Sequence, residues 1–306
     1  MKVAIFGGAG GVGASAAYNL LLAAHGHELV IVDNRPEMVV SHVMDFQQVL
    51  EQGASGSVRA GDIGDLRDAD VVVVCASIAE GPSDTRLLFL ERNAEIVRDA
   101  GAALGPDWAG VILIVTNPVD PLVTLFQQVT GLERHRVIGY TLNDTLRLRT
   151  GIALALGIDP GRVDAWVLGE HGDSSVPLFT RVVVDGEPVE LTDAQRASAA
   201  EFTRRWFAKH KALESGRSST WTSGLGTARM VQAIADGDSA RFPASIVLDG
   251  EYGINGVSVS VPVTIGRHGV EQIHQWELSD DERAALLAAA ECVRQAAARL
   301  NGSASA

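Results

Sequence analysis

A glycine-rich turn close to the N-terminus constrains the fold of this chain more than any other feature. The apolar run Val3 to Phe6 leads into the sequence Gly8-Ala9-Gly10-Gly11-Val12-Gly13, after which an apolar stretch continues. This order predicts a strand, a tight turn and a helix. Gly8 allows the turn, Gly10 lets a bound anion approach the backbone, and Gly13 lets the helix pack on the strand.

A second strand pattern ends in an acidic residue. Glu28-Leu29-Val30-Ile31-Val32 is followed by Asp33, twenty residues after Gly13, where a carboxylate can hydrogen-bond an adenosine ribose. The turn and this acid together predict a dinucleotide site. A carboxylate there repels a 2′-phosphate and favours NAD over NADP, although the nearby Arg35 could accommodate the extra phosphate.

Strand and helix patterns alternate through the first half of the chain. Helical patterns lie near 12–24, 37–51, 86–104 and 119–129. Strand patterns lie at 2–6, 28–32, 71–75, 111–115 and 136–138, with a weaker one at 57–60. Such alternation predicts an α/β fold with a doubly wound parallel sheet of the Rossmann type.

Beyond about residue 145 this alternation stops, which predicts a second, α+β unit. We expect a helix over 144–156 that ends at Gly157, a strand near 162–168 and a polar helix over roughly 192–213. Strand pairs are expected at 182–185 and 257–265, and an Ala-rich helix over 281–300.

The composition argues against nucleic-acid and membrane partners. The 306 residues include 25 Lys and Arg against 38 Asp and Glu, a formal net charge of −13, without a sustained basic run. No stretch is long and apolar enough to predict a membrane span. Cys75 and Cys292 lack ligand spacing for zinc, so we expect buried thiols in a reducing cytoplasm and no metal site.

A histidine, a carboxylate and a guanidinium in the middle of the chain could run acid–base chemistry on a carboxylate substrate. Asp144 and Arg147 are spaced i, i+3, so a helix would present both on one face, and His171 lies in a Gly-flanked loop. Asp144 could fix the tautomer of His171, and Arg147 could hold a carboxylate by two parallel hydrogen bonds. The alternative is a solvated ion pair and an ordinary loop histidine.

Several blocks of the sequence resemble the lactate and malate dehydrogenase family, and the resemblance spans nearly the whole chain. The blocks are the glycine-rich turn with Asp33, Met44-Asp45, the stretch Arg86 to Asn93, Thr116-Asn117-Pro118-Val119-Asp120, Asp144 with Arg147, Gly169-Glu170-His171-Gly172-Asp173, Gly253-Ile254-Asn255-Gly256-Val257 and Val261 to Arg267. The resemblance implies an NAD-dependent dehydrogenase of (S)-2-hydroxy acids. It implies an NAD-binding Rossmann domain over 1–143 and a catalytic domain over 144–306.

The resemblance also implies roles for individual residues. His171 matches the family's catalytic acid/base, Asp144 its partner, and Arg147 the arginine that binds the substrate carboxylate. Arg86 matches the arginine of the mobile loop that polarises the reacting carbonyl, although it could instead pair with Asp84. Asn117, which could also be a simple turn residue before Pro118, matches the asparagine that contacts substrate and the nicotinamide ribose.

Further positions follow from the same resemblance. Ala76, in a segment where backbone passes the cofactor, and Asn93 are expected in the cofactor site. Thr220 lies where the family builds another wall of the substrate pocket, and its neighbour Trp221 could either narrow that pocket or belong to the core. Relatives are commonly homodimers or homotetramers.

Glu80 occupies the position that reads the distal end of the substrate in this family, six residues before Arg86. Glutamine there typically accompanies lactate dehydrogenases, and arginine accompanies malate dehydrogenases. A second substrate carboxylate about 4 Å from Glu80 would cost several kcal/mol, so a 2-oxo acid with a neutral or cationic distal end is favoured. Two alternatives stay open. Glu80 could face solvent in a malate dehydrogenase, or the chain could be a catalytically idle NAD-binding relative.

Overall fold

The predicted α/β class is confirmed by the computed structural model, which describes residues 1–78, 86–215 and 217–302. Its strands are β1 (Lys2–Phe6), β2 (Glu28–Val32), β3 (Ser57–Ala60), β4 (Val71–Val74), β5 (Val111–Ile114), β6 (Val137–Tyr140), β7 (Val163–Asp164), β8 (Val167–Gly169), β9 (Ser175–Pro177), β10 (Val183–Val184), β11 (Glu187–Pro188), β12 (Ala240–Asp249), β13 (Asn255–Gly266) and β14 (Gly269–Ile273). Its α-helices are α1 (Gly11–Leu22), α2 (Pro36–Glu51), α3 (Arg86–Ala103), α4 (Val119–Thr130), α5 (Leu142–Leu156), α6 (Asp193–Ala212), α7 (Thr220–Asp236) and α8 (Asp280–Gly302).

The first six strands form the predicted doubly wound parallel sheet, in the order β3-β2-β1-β4-β5-β6. Every residue of β4 and β5 is buried, which explains their uninterrupted apolar sequences. Phe6 of β1 is in register with Val32 of β2 and Val74 of β4, so the strands end at one common edge. The strand order reverses between β1 and β4, and ligands bind at such a switch point.

The same sheet continues into the second half of the chain through antiparallel strands. β12 pairs with β6, β13 with β12, and β8 and β9 follow, while β14 pairs with β13. A smaller sheet has the order β11-β10-β7. The segments expected as strand pairs at 182–185 and 257–265 therefore contribute to two different sheets.

Several expectations are corrected by the fold. The strand expected near 162–168 is split into β7 and β8, and α7, β9, β12 and β14 were not expected at all. Cys292 is exposed on α8 and Cys75 is only partly buried, so the expectation of two buried thiols is wrong for Cys292. Within the described ranges, no helix combines the length and the apolar character that crossing a membrane requires.

Candidate active site

Asp144, Arg147 and His171 meet in one largely buried cluster. Arg147 Nη1 donates to Asp144 Oδ1 at 2.9 Å, within α5. His171, in the loop between β8 and β9, has its Nδ1 atom 2.5 Å from Asp144 Oδ2. The three side chains are only 12–14% exposed. The pair on α5 is therefore not a solvated surface ion pair.

This pairing shifts the pKa values of both titratable partners. Burial alone would raise the pKa of Asp144, but the charge and hydrogen bond of His171, and then those of Arg147, hold it below its ordinary value. Burial alone would lower the pKa of His171, but Asp144 raises it above the ordinary value. The imidazolium is thus stabilised, and with Nδ1 bound to Asp144 the Nε2 atom remains for proton exchange.

A second buried acid, Asp120 on α4, is hydrogen-bonded to the main chain of the histidine. The main-chain N–H of His171 donates to Asp120 Oδ2 at 2.7 Å, and the Ser245 hydroxyl donates to Oδ1 at 2.6 Å. Burial raises the pKa of Asp120 to about 6, although these two bonds oppose the increase. Sequence reasoning placed Asp120 in a motif but gave it no role.

Trp206 of α6 stacks on the arginine of the cluster. The guanidinium carbon of Arg147 lies 4.4 Å from the centre of the Trp206 ring, and His210 stacks on that ring with a centroid separation of 5.2 Å. A tryptophan face attracts a guanidinium and restricts its orientation. The contact of Trp206 with Arg147 was not predicted from the sequence. The available signal was the spacing of four residues between Trp206 and His210 in a polar helix, which places the two rings on one face.

The glycine-rich turn packs too closely on its surroundings to accept side chains at Gly8 and Gly13. A Cβ on Gly8 would lie 2.8 Å from Ile31 Cγ2, and one on Gly13 would lie 2.5 Å from the Gly7 carbonyl oxygen. Gly10 is the N-cap of α1, and no side chain among the described residues caps this helix. Its first N–H groups can therefore donate to an anion. The turn fits a dinucleotide. The N–H groups of Gly11, Val12 and Gly13 would hold its phosphates, and Gly8 and Gly10, whose N–H groups donate to Val32 and Gly7, would let the phosphates approach the backbone.

Asp33 lies at the end of β2, on the same edge of the sheet. Its Oδ2 accepts a hydrogen bond from the Ala9 main-chain N–H at 3.2 Å, which joins it to the turn. Arg35 also binds this carboxylate. Burial would raise the pKa of Asp33, but Arg35 and the main-chain donors lower it, so the group is ionised at neutral pH.

Asn93 joins the segments that follow β4 and β5. Its side chain is fully buried, accepts a bond from Ile78 N at 2.9 Å and donates to the Asn117 carbonyl at 2.9 Å. Thr116 Oγ1 donates to the Ala76 carbonyl at 2.7 Å. Ala76, Asn93 and Asn117 are thereby held together, and Asn117 is only three residues before Asp120. The edge of the sheet at which β1, β4 and β5 end, where the cofactor would bind, is therefore next to the cluster of Asp144, Arg147 and His171.

The remaining predicted site residues are placed less directly. Thr220 is buried at the start of α7, and its hydroxyl lies 3.0 Å from where a Cβ on Gly11 would be, so it contacts the cofactor turn. Trp221 is 68% exposed and is not part of the core. Arg86 is the first residue of α3, but its side chain lies outside the described part of the structure, as does Glu80.

The sheet order and the glycine-rich turn are those of a dinucleotide-binding protein, and comparison with known proteins identifies the family. The family model described as lactate/malate dehydrogenase, NAD binding domain, matches residues 1–139, and the model for the alpha/beta C-terminal domain matches residues 141–300. The chain belongs to the lactate/malate dehydrogenase family. It is an NAD-dependent 2-hydroxy acid dehydrogenase, as the sequence predicted.

Relatives of similar identity are named for different substrates. The malate dehydrogenase of Halobacterium salinarum is 36% identical over 295 residues, which cover 95% of this chain and 96% of the relative. L-lactate dehydrogenase 2 of Lactiplantibacillus plantarum is 34% identical over 287 residues, covering 92% and 93%. The minor L-lactate dehydrogenase of Enterococcus mundtii, a crystal structure, has a TM-score of 0.90 and 29% identity, with 98% of each chain covered. The family thus gives the reaction class, and the substrate has to be argued from individual residues.

Proposed function

We propose that this enzyme interconverts an (S)-2-hydroxy acid and a 2-oxo acid whose distal end is neutral and hydrogen-bonding, or cationic. The observation that carries the chemistry is the 2.5 Å contact between His171 Nδ1 and Asp144 Oδ2 in a largely buried cluster. Residues 1–143 would bind the cofactor and residues 144–306 would supply this cluster.

His171 would act as the acid/base at the substrate oxygen. Bound NADH would supply a hydride to C2 of the 2-oxo acid. The imidazolium, which Asp144 stabilises, would donate the Nε2 proton to the oxygen of the developing alkoxide. In the reverse direction neutral His171 would accept the hydroxyl proton. Burial of the pair strengthens these electrostatic effects because it excludes water.

Arg147 would bind the carboxylate next to C2. One of its terminal nitrogens is held by Asp144 and its flat face by Trp206, which leaves the rest of the planar fork for two parallel bonds to a carboxylate. By family resemblance, Arg86 would polarise the carbonyl, Asn117 would contact substrate and nicotinamide ribose, and Thr220 would contribute to the pocket wall. The cofactor contacts would come from the glycine-rich turn, Asp33, Ala76, Asn93 and Asn117.

Glu80 is the reason for proposing a substrate other than a dicarboxylate. By resemblance this residue reads the distal end of the acid, and two carboxylates about 4 Å apart repel by several kcal/mol at an effective dielectric of about 20. A neutral hydrogen-bonding group or a cation would avoid that cost. The competing candidate is a malate dehydrogenase in which Glu80 faces solvent, favoured by the similarity to the Halobacterium salinarum enzyme.

The test is NADH oxidation with a panel of pyruvate, oxaloacetate, and branched-chain, aromatic and basic 2-oxo acids. The wild type is compared with Glu80→Gln and Glu80→Arg. Glu187→Arg makes the same change of charge on exposed β11 and serves as the control. We expect the wild type to prefer a neutral or basic acid, and Glu80→Arg to gain oxaloacetate activity.

Two results would contradict this proposal. Preference for oxaloacetate, unaffected by the Glu80 changes, would make the enzyme a malate dehydrogenase with an outward-facing Glu80. No turnover of any acid despite NADH binding, measured by fluorescence, would favour the idle NAD-binding relative. That second result is not expected, because His171, Asp144 and Arg147 are all present and contact one another.

We also propose that the enzyme is a homo-oligomer, either a dimer or a tetramer. Helices α1, α2 and α7 border a mostly apolar groove of about 500 Å³, and Trp221, at 68% exposure, and Leu225, at 41%, line it. Tyr18 of α1 adds a third exposed apolar side chain. Apolar patches of this kind are typical of protein interfaces, and a second copy of this face is the occupant we propose.

Light scattering on a sizing column tests the oligomer. The wild type is expected to run as a dimer or tetramer, and Trp221→Glu as a smaller species. Phe207→Glu places the same charge on the exposed face of α6, at 52% exposure, and is expected to leave the mass unchanged. A monomeric wild type would overturn the proposal.

A further inference from the structure

Arg35 covers the carboxylate that is expected to bind the adenosine ribose. Its Nε atom donates to Asp33 Oδ1 at 2.9 Å and its Nη2 atom donates to Oδ2 at 3.2 Å. The Arg35 main-chain N–H also donates to Oδ1, at 3.2 Å, and the Ala9 N–H donates to Oδ2. The Asp33 side chain is only 5% exposed, whereas that of Arg35 is 51% exposed. The outward face of this pair is therefore the guanidinium.

The pair lies beside the glycine-rich turn. Arg35 Nη2 is 3.9 Å from the position that a Cβ on Gly10 would occupy, so the guanidinium adjoins the pyrophosphate turn. Arg35 is also the N-cap of α2, which begins at Pro36 and has no side-chain cap among the described residues. The positive end of that helix therefore lies next to Arg35. Glu37, in the first turn, is the nearby opposing acid.

We propose that Arg35 is a cofactor-selecting residue that lets this site accept NADP(H) as well as NAD(H). A lone acid at Asp33 would repel a 2′-phosphate. Here the guanidinium neutralises the carboxylate through Nε and Nη2, and its remaining amino group, Nη1, can donate to the phosphate while that pairing is kept. When NAD(H) binds, Arg35 has to give up a hydrogen bond to Asp33 so that the ribose hydroxyls can donate to this carboxylate. Arg35 thus offsets the repulsion between Asp33 and a 2′-phosphate, and it competes with the ribose hydroxyls of NAD(H) for Asp33.

This inference rests on the proposed placement of the ribose at Asp33 and is independent of which acid is reduced. It is therefore tested by binding rather than by turnover. The probes are 5′-AMP and adenosine 2′,5′-bisphosphate, which differ only in the 2′-phosphate, and their binding to the whole enzyme is measured by calorimetry. The proteins are the wild type, Arg35→Ala, Arg35→Lys and Asp33→Ala. Arg162→Ala, which removes an exposed arginine paired with Asp185, is the control.

The wild type is expected to bind the bisphosphate no more than tenfold more weakly than 5′-AMP. Arg35→Ala should weaken the bisphosphate about tenfold or more, the usual effect of losing a charged hydrogen-bonded pair, and should leave 5′-AMP unchanged or tighter. Arg35→Lys should lie between, because a point charge cannot form the fork. The binding of NADPH and of NADH, measured by the fluorescence of each cofactor, should show the same pattern. Arg162→Ala should match the wild type.

Two outcomes would overturn the inference. The first is a wild type that binds the bisphosphate more than tenfold more weakly than 5′-AMP. The second is an Arg35→Ala variant that changes both ligands equally. If Asp33→Ala also leaves 5′-AMP binding unchanged, the ribose lies elsewhere and the proposed cofactor placement fails with the inference. If Asp33→Ala weakens 5′-AMP, only the role of Arg35 is lost.

Discussion

The main-chain N–H of His171 donates a 2.7 Å hydrogen bond to Oδ2 of Asp120, a carboxylate that is almost completely buried. His171 is therefore held by two acids, Asp144 at the ring and Asp120 at the backbone. The charge of Asp120 adds to that of Asp144 in raising the pKa of His171. If His171 is the acid/base, as proposed, Asp120 would act through it as a positioning residue.

Asp120→Asn should change the pH dependence of ketone reduction. In the proposed mechanism reduction uses the imidazolium, so kcat/KM should fall as pH rises through the pKa of His171. Because the amide keeps the shape but removes a negative charge, the pKa of His171 should decrease and this fall should move to lower pH. The measurement is kcat/KM against pH, with the exposed Asp185→Asn as control. An equal loss at every pH, without a shift, would mean that Asp120 is only structural.

His171→Asn should reduce turnover by about 10²–10⁴-fold, the usual contribution of a positioned general acid. NADH affinity should be nearly unchanged, because the proposed cofactor contacts, among them the glycine-rich turn and Asp33, do not include His171. Turnover is measured at saturating NADH, and affinity by NADH fluorescence. His268→Asn, at an exposed position, is the matched variant. Full activity of His171→Asn would refute the acid–base assignment.

Trp206→Ala should weaken substrate binding more than it slows chemistry. Loss of the ring would leave the Arg147 guanidinium free to rotate away from the substrate carboxylate that we propose it binds, and a stacked cation on tryptophan contributes about 0.5–2 kcal/mol. We therefore expect KM for the 2-oxo acid to rise about 2–30-fold with kcat little changed, and Trp206→Phe to recover part of the loss. Phe207→Ala, the exposed neighbour, is the control. A fall in kcat at constant KM would count against this role.

The sequence predicted the Rossmann half well because its elements obey simple local rules. Strands at 2–6 and 28–32 agree with β1 and β2, since buried parallel strands have continuous apolar sequences. The helix that ends at Gly157 agrees with α5, where that glycine has a φ of 70°. The pairing of Asp144 with Arg147 also followed from spacing along a single helix.

The parts that were not predicted depend on tertiary contacts. Helix α7 contains Gly224 and Gly226, and glycines are typical of loops. A Cβ on Gly224 would lie 2.2 Å from Ser15 Oγ, and one on Gly226 would lie 2.2 Å from Tyr140 Oη. These glycines therefore allow the helix to pack closely on its neighbours. Strand β12 contains Pro243, which argues against a strand, yet it pairs with Pro262. The contacts of Asp120 and Trp206 with the active-site cluster join residues distant in sequence, which no local pattern encodes.

Gly10→Ala should weaken cofactor binding, whereas Gly13→Ala should destabilise the fold. At Gly10 the backbone has a φ of −79° and a Cβ would meet only the Gly7 carbonyl oxygen within 3.5 Å, at 3.2 Å, so the fold should tolerate alanine while the methyl group obstructs the pyrophosphate. At Gly13 the Cβ would lie 2.8 Å from Gly8 Cα, and we expect a loss of about 1–3 kcal/mol of unfolding free energy. Urea unfolding and NADH fluorescence measure the two effects. Equal stability of both variants would contradict this division.

His27 should make the fold sensitive to acid. The residue is 1% exposed, neither ring nitrogen has a hydrogen-bond partner among the described residues, and the ring stacks on His25 at 5.4 Å. Burial, followed by the N-terminal ammonium and His25, lowers the pKa of His27 to about 4. Between about pH 6.5 and 4 the unfolded chain binds a proton that the folded chain does not bind. Stability contributed by neutral His27 is therefore present above pH 6.5 and is lost as pH falls through this range.

Replacing His27 by an aromatic residue that does not titrate should remove this part of the pH dependence. We expect the unfolding free energy of the wild type to decrease between pH 6.5 and 4.5 by more than that of His27→Phe, with the difference growing toward lower pH. Urea unfolding at several pH values measures it. His268→Phe, at an exposed position, should keep the wild-type slope. Parallel curves for the wild type and His27→Phe would show that the buried imidazole is not the group that titrates, because a depressed pKa at His27 requires the two slopes to differ.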